Sequence, residues 1–100
     1  MTYALVMIRF TKPLEQVLPH VDAHRAYLRG LKESGLLLVS GPFEPRIGGG
    51  VLLRIPDDQD PKAVLAKVRD DDPFFTVGLA DYELLVWKPT IGTESLDQMR

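Results

Sequence analysis

Two histidines, His20 and His24, and a run of three aspartates, Asp70 to Asp72, are the residues of this chain best suited to moving a proton. Imidazole ionises at about 6.5 in its ordinary state, so a small push makes it a general acid or base at neutral pH. His24 stands in a stripe with Val17, Val21, Leu28 and Leu31, at steps that make one face of a helix. Its ring therefore points where the apolar side chains point. Two readings fit: a partly buried histidine with one nitrogen satisfied, or an acid/base whose tautomer a second group fixes. His20 is four residues earlier, a spacing that can hold a metal when a third ligand converges. The glutamate that follows the first histidine of metalloprotease helices is missing, and no metal is expected.

The leading partner for His24 is Asp72. Asp72-Pro73 also reads as a helix start, an N-cap acceptor followed by proline at the first helical position, and that role alone accounts for the residue. Asp70 and Asp71 read as solvated charges at a helix end. Ser40-Gly41-Pro42 closes an apolar run. There the Ser40 hydroxyl can orient a ligand and the Gly41 N–H can bind an oxyanion, or the three residues simply stop a strand. The surroundings are not the G-x-S-x-G of a nucleophile elbow, so Ser40 is not expected to attack. Arg9, Arg46 and Arg54 can each meet an anion, and spacing selects none of them. Tyr27, Phe43, Phe74, Phe75 and Trp87 can line an apolar pocket, or fill the core and a subunit seam.

The elements that must position these residues follow in the order β-α-β-β-α-β. Residues 3–10 are β-branched, aromatic and apolar on both alternating faces, a strand closed by Lys12-Pro13. A helix is predicted from about Pro19 to Ser34, with Gly35 as its stop. Leu36 to Ser40 is a short buried strand that ends at Gly41-Pro42. Pro45 to Gly50 reads as a turn, with Gly48-Gly49-Gly50 a flexible link lacking the spacing of a phosphate loop. Val51 to Ile55 is the next strand. Asp60-Pro61 opens a second helix with Val64, Leu65 and Val68 inward, a short turn follows over Pro73 to Val77, and Tyr82 to Lys88 is the last strand. Beyond Pro89 no pattern is sustained, which divides the chain into a domain over 1–89 and a tail over 90–100.

This order is that of an α+β ferredoxin-like sandwich, a four-stranded antiparallel sheet with two helices on one face. Strands apolar on both faces need a second cover, and a homodimer through the free sheet face is the simplest. With 45% apolar and 26% charged residues and a net charge of −2, the chain has the balance of a globular domain and no basic patch for nucleic acid. There is no cysteine for a disulfide or a thiolate site. The first ten residues lack the basic start of a signal peptide, and Arg9 interrupts them well short of a membrane span. A cytoplasmic protein with no membrane partner is expected.

Taken jointly, H-R-A-Y-L-R-G-L around His24, E-S-G-L-L, S-G-P-F, the glycine turn, D-D-D-P-F-F-T-V-G-L and the closing Y-E-L-L-V-W strongly resemble the YciI-like (YCII-related) family, over about Tyr3 to Lys88. The resemblance implies a dimeric α+β barrel, similar in fold to muconolactone isomerases and small monooxygenases. It also implies an active site on a histidine–aspartate dyad, which falls here on His24 and Asp72, with Ser40 and Gly41 in the neighbouring motif. One branch of that family removes chloride from chlorinated aromatic breakdown products. The expectation is then a small cofactor-independent enzyme that binds its substrate at Ser40, Gly41, Pro42 and Phe74. His24 and Asp72 would carry lyase, isomerase or dehalogenase chemistry on a small cyclic or aromatic molecule. The alternative is a non-catalytic ligand-binding or interaction domain; a haem or metal in the pocket, as in cousins by fold, is a third reading.

Overall fold

The computed structural model describes residues 1–99. Strand β1 (Thr2–Phe10) runs through the middle of an antiparallel sheet, between β3 (Gly48–Ile55) and β4 (Ala80–Trp87), with β2 (Leu37–Pro42) at the edge beyond β3. The strand order β2-β3-β1-β4 follows from the βαββαβ path of a ferredoxin-like sandwich. Helix α2 (Val21–Glu33) crosses from β1 to β2, and α3 (Pro61–Asp70) with the short α4 (Pro73–Thr76) crosses from β3 to β4.

Side-chain alternation decides which face the helices cover. Ala4, Val6 and Ile8 of β1 join Val51, Leu53 and Ile55 of β3 in one core with Val21 and Leu28 of α2 and Leu65 and Val68 of α3. The opposite face carries Leu5, Met7 and Leu52, half-buried, beside Val39, Leu85 and Trp87, which are 40–50% exposed. Both faces are apolar, but α2, α3 and α4 cover only one.

Four local expectations change. The first helical turn begins earlier, as α1 (Leu14–Val17) and a 3₁₀ turn over Leu18–His20, so Pro19 sits in that turn and α2 proper starts at Val21. Strand β2 keeps its pairing through Gly41 and Pro42, which face Gly50 and Gly49. An edge strand tolerates the missing proline N–H on its outer side. Strand β4 starts two residues early, at Ala80.

The largest change is at Gly48-Gly49-Gly50, which is no flexible turn. The three glycines are the first residues of β3, paired with β1 on one side, and Gly49 and Gly50 pair with β2 on the other. A Cβ on Gly48 would stand 1.8 Å from the Ile8 carbonyl oxygen, and one on Gly49 would stand 2.8 Å from that of Gly41. Glycine is needed here because backbone occupies the space of a side chain.

After β4 the chain does not trail away. Helix α5 (Thr93–Asp97) lies near the start of β1, where the Tyr3 hydroxyl donates to Asp97 Oδ1 at 2.6 Å and Arg54 Nη1 donates to the Asp97 and Leu96 carbonyls at 3.3 and 3.4 Å. Among the described residues, no helix is long and apolar enough to cross a membrane.

Candidate active site

His24 lies one turn into α2, on the stripe that also buries Val21 and Leu28. Asp72 lies at the N-cap of α4, where an extended backbone and the following Pro73 start the helix. The two meet across 48 residues of sequence: His24 Nδ1 is 2.8 Å from Asp72 Oδ1 and 3.1 Å from Oδ2. Oδ1 also accepts the Phe74 N–H at 3.1 Å, so one carboxylate caps the helix and holds the histidine. Asp72 is 1% exposed.

A carboxylate accepts, so its partner Nδ1 carries the proton and the neutral ring keeps its lone pair on Nε2. Nε2 has no partner among the described residues. The Phe74 ring stacks on the imidazole, centroids 3.9 Å apart and planes 11° apart, and Phe10 meets Phe74 edge-on at 5.5 Å. The hydrogen bond to Asp72 at one edge and the Phe74 ring stacked on one face fix the plane of the histidine.

Two tyrosines stand behind Asp72. The Tyr82 hydroxyl is buried and has no partner in hydrogen-bonding geometry. Its burial, and then the carboxylate of Asp72 nearby, push its pKa up. The Tyr27 hydroxyl donates to the Val68 carbonyl at 2.9 Å. Burial, and then the negative charges of Asp71 and Asp72, push its pKa up to about 12.

In front of His24 opens a cleft of about 170 Å³. A cavity of about 150 Å³ is enough for benzene, so the cleft suits one small ring. Ile8, Val21, Leu28 and Phe74 give it apolar walls. Gly48, Gly49 and Gly50 give it a floor without side chains. Ser40, Gly41 and Pro42 close one side, and Arg25 and Arg46 stand among the lining residues as exposed cations. Phe43 N–H donates to the Gly48 carbonyl at 2.9 Å. The alternation of an antiparallel ladder then makes Gly41 and Gly50 a hydrogen-bonded pair. What Gly41 offers the cleft is thus space, its N–H being engaged in the sheet.

His24, Ser40, Gly41, Pro42 and Phe74 therefore share one cleft, with Asp72 directly behind His24. The other aromatic residues go elsewhere. Tyr27 bonds to α3, Phe43 packs beside Gly50, Phe75 lies 5.1 Å under the Arg69 guanidinium, and Trp87 is on the opposite face of the sheet. Of the three arginines weighed from sequence, Arg46 reaches the cleft, Arg54 ties down α5 and Arg9 is exposed. His20 and His24 do not join a third ligand: among the described residues, no group of three or more His, Asp or Glu could hold a metal. Arg25 and the glycine floor were not foreseen. Arg25 lies off the apolar stripe, where sequence gives no signal, whereas the unbroken passage from three glycines into VLLRI is the pattern of one continuous strand.

No curated protein matches the chain. Among solved structures, it is similar to 5-chloro-2-hydroxyhydroquinone dehydrochlorinase (TftG) from Burkholderia phenoliruptrix in complex with 2,5-dihydroxybenzoquinone. The TM-score is 0.72 at 22% identity, over 88% of this chain and 95% of that one. At that identity the likeness establishes the α+β fold. The model of the YCII-related domain matches residues 1–88, and by that match the chain belongs to the YCII-related family.

Proposed function

We propose that the protein is a small cytoplasmic enzyme that uses His24 and Asp72 for acid/base chemistry, of lyase, isomerase or dehalogenase type, on a small cyclic or aromatic molecule. One observation carries the reading: a buried carboxylate 2.8 Å from Nδ1 leaves Nε2 of a cleft-lining histidine without a partner among the described residues. In the first step the Nε2 lone pair takes a proton from a carbon or hydroxyl of the substrate. Asp72 keeps the ring oriented and stabilises the imidazolium that forms. Nε2–H then returns the proton to the product or to the leaving group. The Ser40 hydroxyl, alongside Gly41 and Pro42, positions a substrate oxygen, and Phe74 holds the imidazole plane.

The similar dehydrochlorinase, named for a chlorinated hydroxyhydroquinone, supplies the first assay. Chloride release from 5-chloro-2-hydroxyhydroquinone, and proton exchange into a panel of small cyclic ketones and phenols, are measured for the wild type and for His24→Asn. The substitution should lower kcat by a factor on the order of 10² to 10⁴ with the fold intact. Turnover equal to wild type would remove His24 as the catalyst, and no turnover of any of these compounds by the wild type would leave the non-catalytic ligand-binding reading in its place.

The proposal includes a homodimer, sheet against sheet, in which a second copy covers Leu5, Met7, Leu52, Leu85 and Trp87. Stacked sheets pack about 10 Å apart and bury both inner faces, which would remove the half-exposed apolar surface of this one. Residues 90–100 are read as an appendage to the 1–89 domain. Equilibrium sedimentation at micromolar concentration should give twice the chain mass; a monomer would refute the paired sheets.

A further inference from the structure

The charge around the cleft has one sign. Arg25, from the first turns of α2, and Arg46, from the loop between β2 and β3, both line it, and no carboxylate does. Asp72, the acid immediately behind, already accepts from His24 and from the Phe74 N–H. Neither arginine has an ion pair or a side-chain hydrogen bond among the described residues. Elsewhere Arg69 and Lys67 pair with Asp70 and Asp71, and what sets Arg25 and Arg46 apart is their place in the cleft lining. A chain of net charge −2 thus sets two guanidinium groups, from separate elements and unpaired among the described residues, at the His24 cleft.

Guanidinium groups are planar forks suited to carboxylate and phenolate oxygens. The apolar walls and the side-chain-free floor accept a flat ring, and the two exposed guanidinium groups favour a substituent that bears negative charge. We propose that the cleft selects a planar ring carrying an anionic oxygen group (carboxylate, phenolate or enolate), held by Arg25 and Arg46 so that the ring faces Nε2 of His24. The proposal rests on the cleft being the substrate site and adds the charge of the substrate and the residues that read it.

Benzoate and benzamide test it, being nearly the same in shape and differing in charge. Each is titrated into ¹⁵N-labelled protein at low salt, and the shifts of the His24, Ser40 and Gly41 amides give Kd. Benzoate should bind the cleft about tenfold tighter than benzamide. Arg25→Gln and Arg46→Gln should each weaken benzoate by about 5-fold, as for a partly exposed ion pair, and leave benzamide unchanged. The preference for benzoate should fall as salt is raised. Equal affinity for the two rings, or equal losses for both in the arginine variants, would overturn charge selection and leave the cleft as a neutral ring site. If neither ring shifted the cleft amides, the ring-binding cleft itself would fall, and the anion proposal with it.

Discussion

Asp60-Pro61 and Asp72-Pro73 are the same dipeptide in the same local structure. Both aspartates are extended, with φ −75° and ψ 116° at Asp60 and φ −74° and ψ 128° at Asp72. Each precedes a proline in the first helical turn, and each accepts the N–H two residues on, at 3.2 Å from Lys62 and 3.1 Å from Phe74. One cap is exposed and has finished its work there. The other is 1% exposed and receives the Nδ1–H of His24. A carboxylate so deeply buried would be costly with a single N–H for company, and the histidine offsets that cost. Local sequence decides that an aspartate caps a helix; the crossover topology decides which aspartate also meets an imidazole.

The largest expected difference between the two is in catalysis. Asn is as good an N-cap as Asp, so Asp60→Asn and Asp72→Asn both keep their helices. Asp72→Asn should nonetheless lower kcat by a factor on the order of 10² to 10⁴, since an amide neither stabilises imidazolium nor fixes the tautomer as a carboxylate does. Asp60→Asn should leave kcat unchanged. Equal kinetics for the two variants would reduce Asp72 to a second cap.

Stability should separate them less. Asp60→Ala loses a cap, about 1 kcal/mol by denaturant unfolding. Asp72→Ala loses the same cap and also leaves the His24 N–H unpaired in a largely buried site, for a total of about 3 kcal/mol. If both cost the same, the His24 contact adds nothing to the folded state.

Behind Asp72 the comparison sharpens further, because the buried hydroxyl of Tyr82 lies near Asp72, whereas Tyr3 and Tyr27 bond to Asp97 and Val68. A buried hydroxyl without a partner is destabilising where it sits, so Tyr82→Phe should raise stability by about 1 kcal/mol. A loss of similar size would mean that in solution the hydroxyl turns to donate to Asp72.

Much of this site is legible in the sequence. The stripe Val17, Val21, His24, Leu28 and Leu31 carried the orientation of the histidine, and Asp72-Pro73 carried its own cap. Their meeting depended on topology, and the βαββαβ order supplied it. The glycine triplet reads as a turn in sequence because glycine is a turn signal when only backbone freedom is weighed. In this sheet its missing side chain matters more, since the Ile8 carbonyl fills that place. The tail is illegible for another reason: α5 is five residues long, too short to show a period, and is held by Tyr3 and Arg54, which are far from it in sequence. Arg25 and Arg46 were invisible as a pair because a helix and a loop bring them together.

The smallest difference between the two aspartates should appear at high pH. Tyr27 ionises at about 12 in the folded protein, against about 10 in an unfolded chain. Below about 10 the phenol is protonated in both states and pH changes nothing through it. Between about 10 and 12 the unfolded chain releases the proton while the folded one keeps it, so stability falls as pH rises through that window. Tyr82, raised by burial and by Asp72, acts in the same direction. In Tyr27→Phe the fall above pH 10 should be shallower, although the variant starts about 1 kcal/mol less stable for want of the bond to Val68. Part of the Tyr27 shift comes from the Asp72 charge, after burial and Asp71. Asp72→Asn should therefore bring the Tyr27 titration, followed by ultraviolet absorbance, slightly down in pH, and Asp60→Asn should leave it where it is. A Tyr27 titration indifferent to both would place the Asp72 charge too well screened by His24 to be felt across the helix seam.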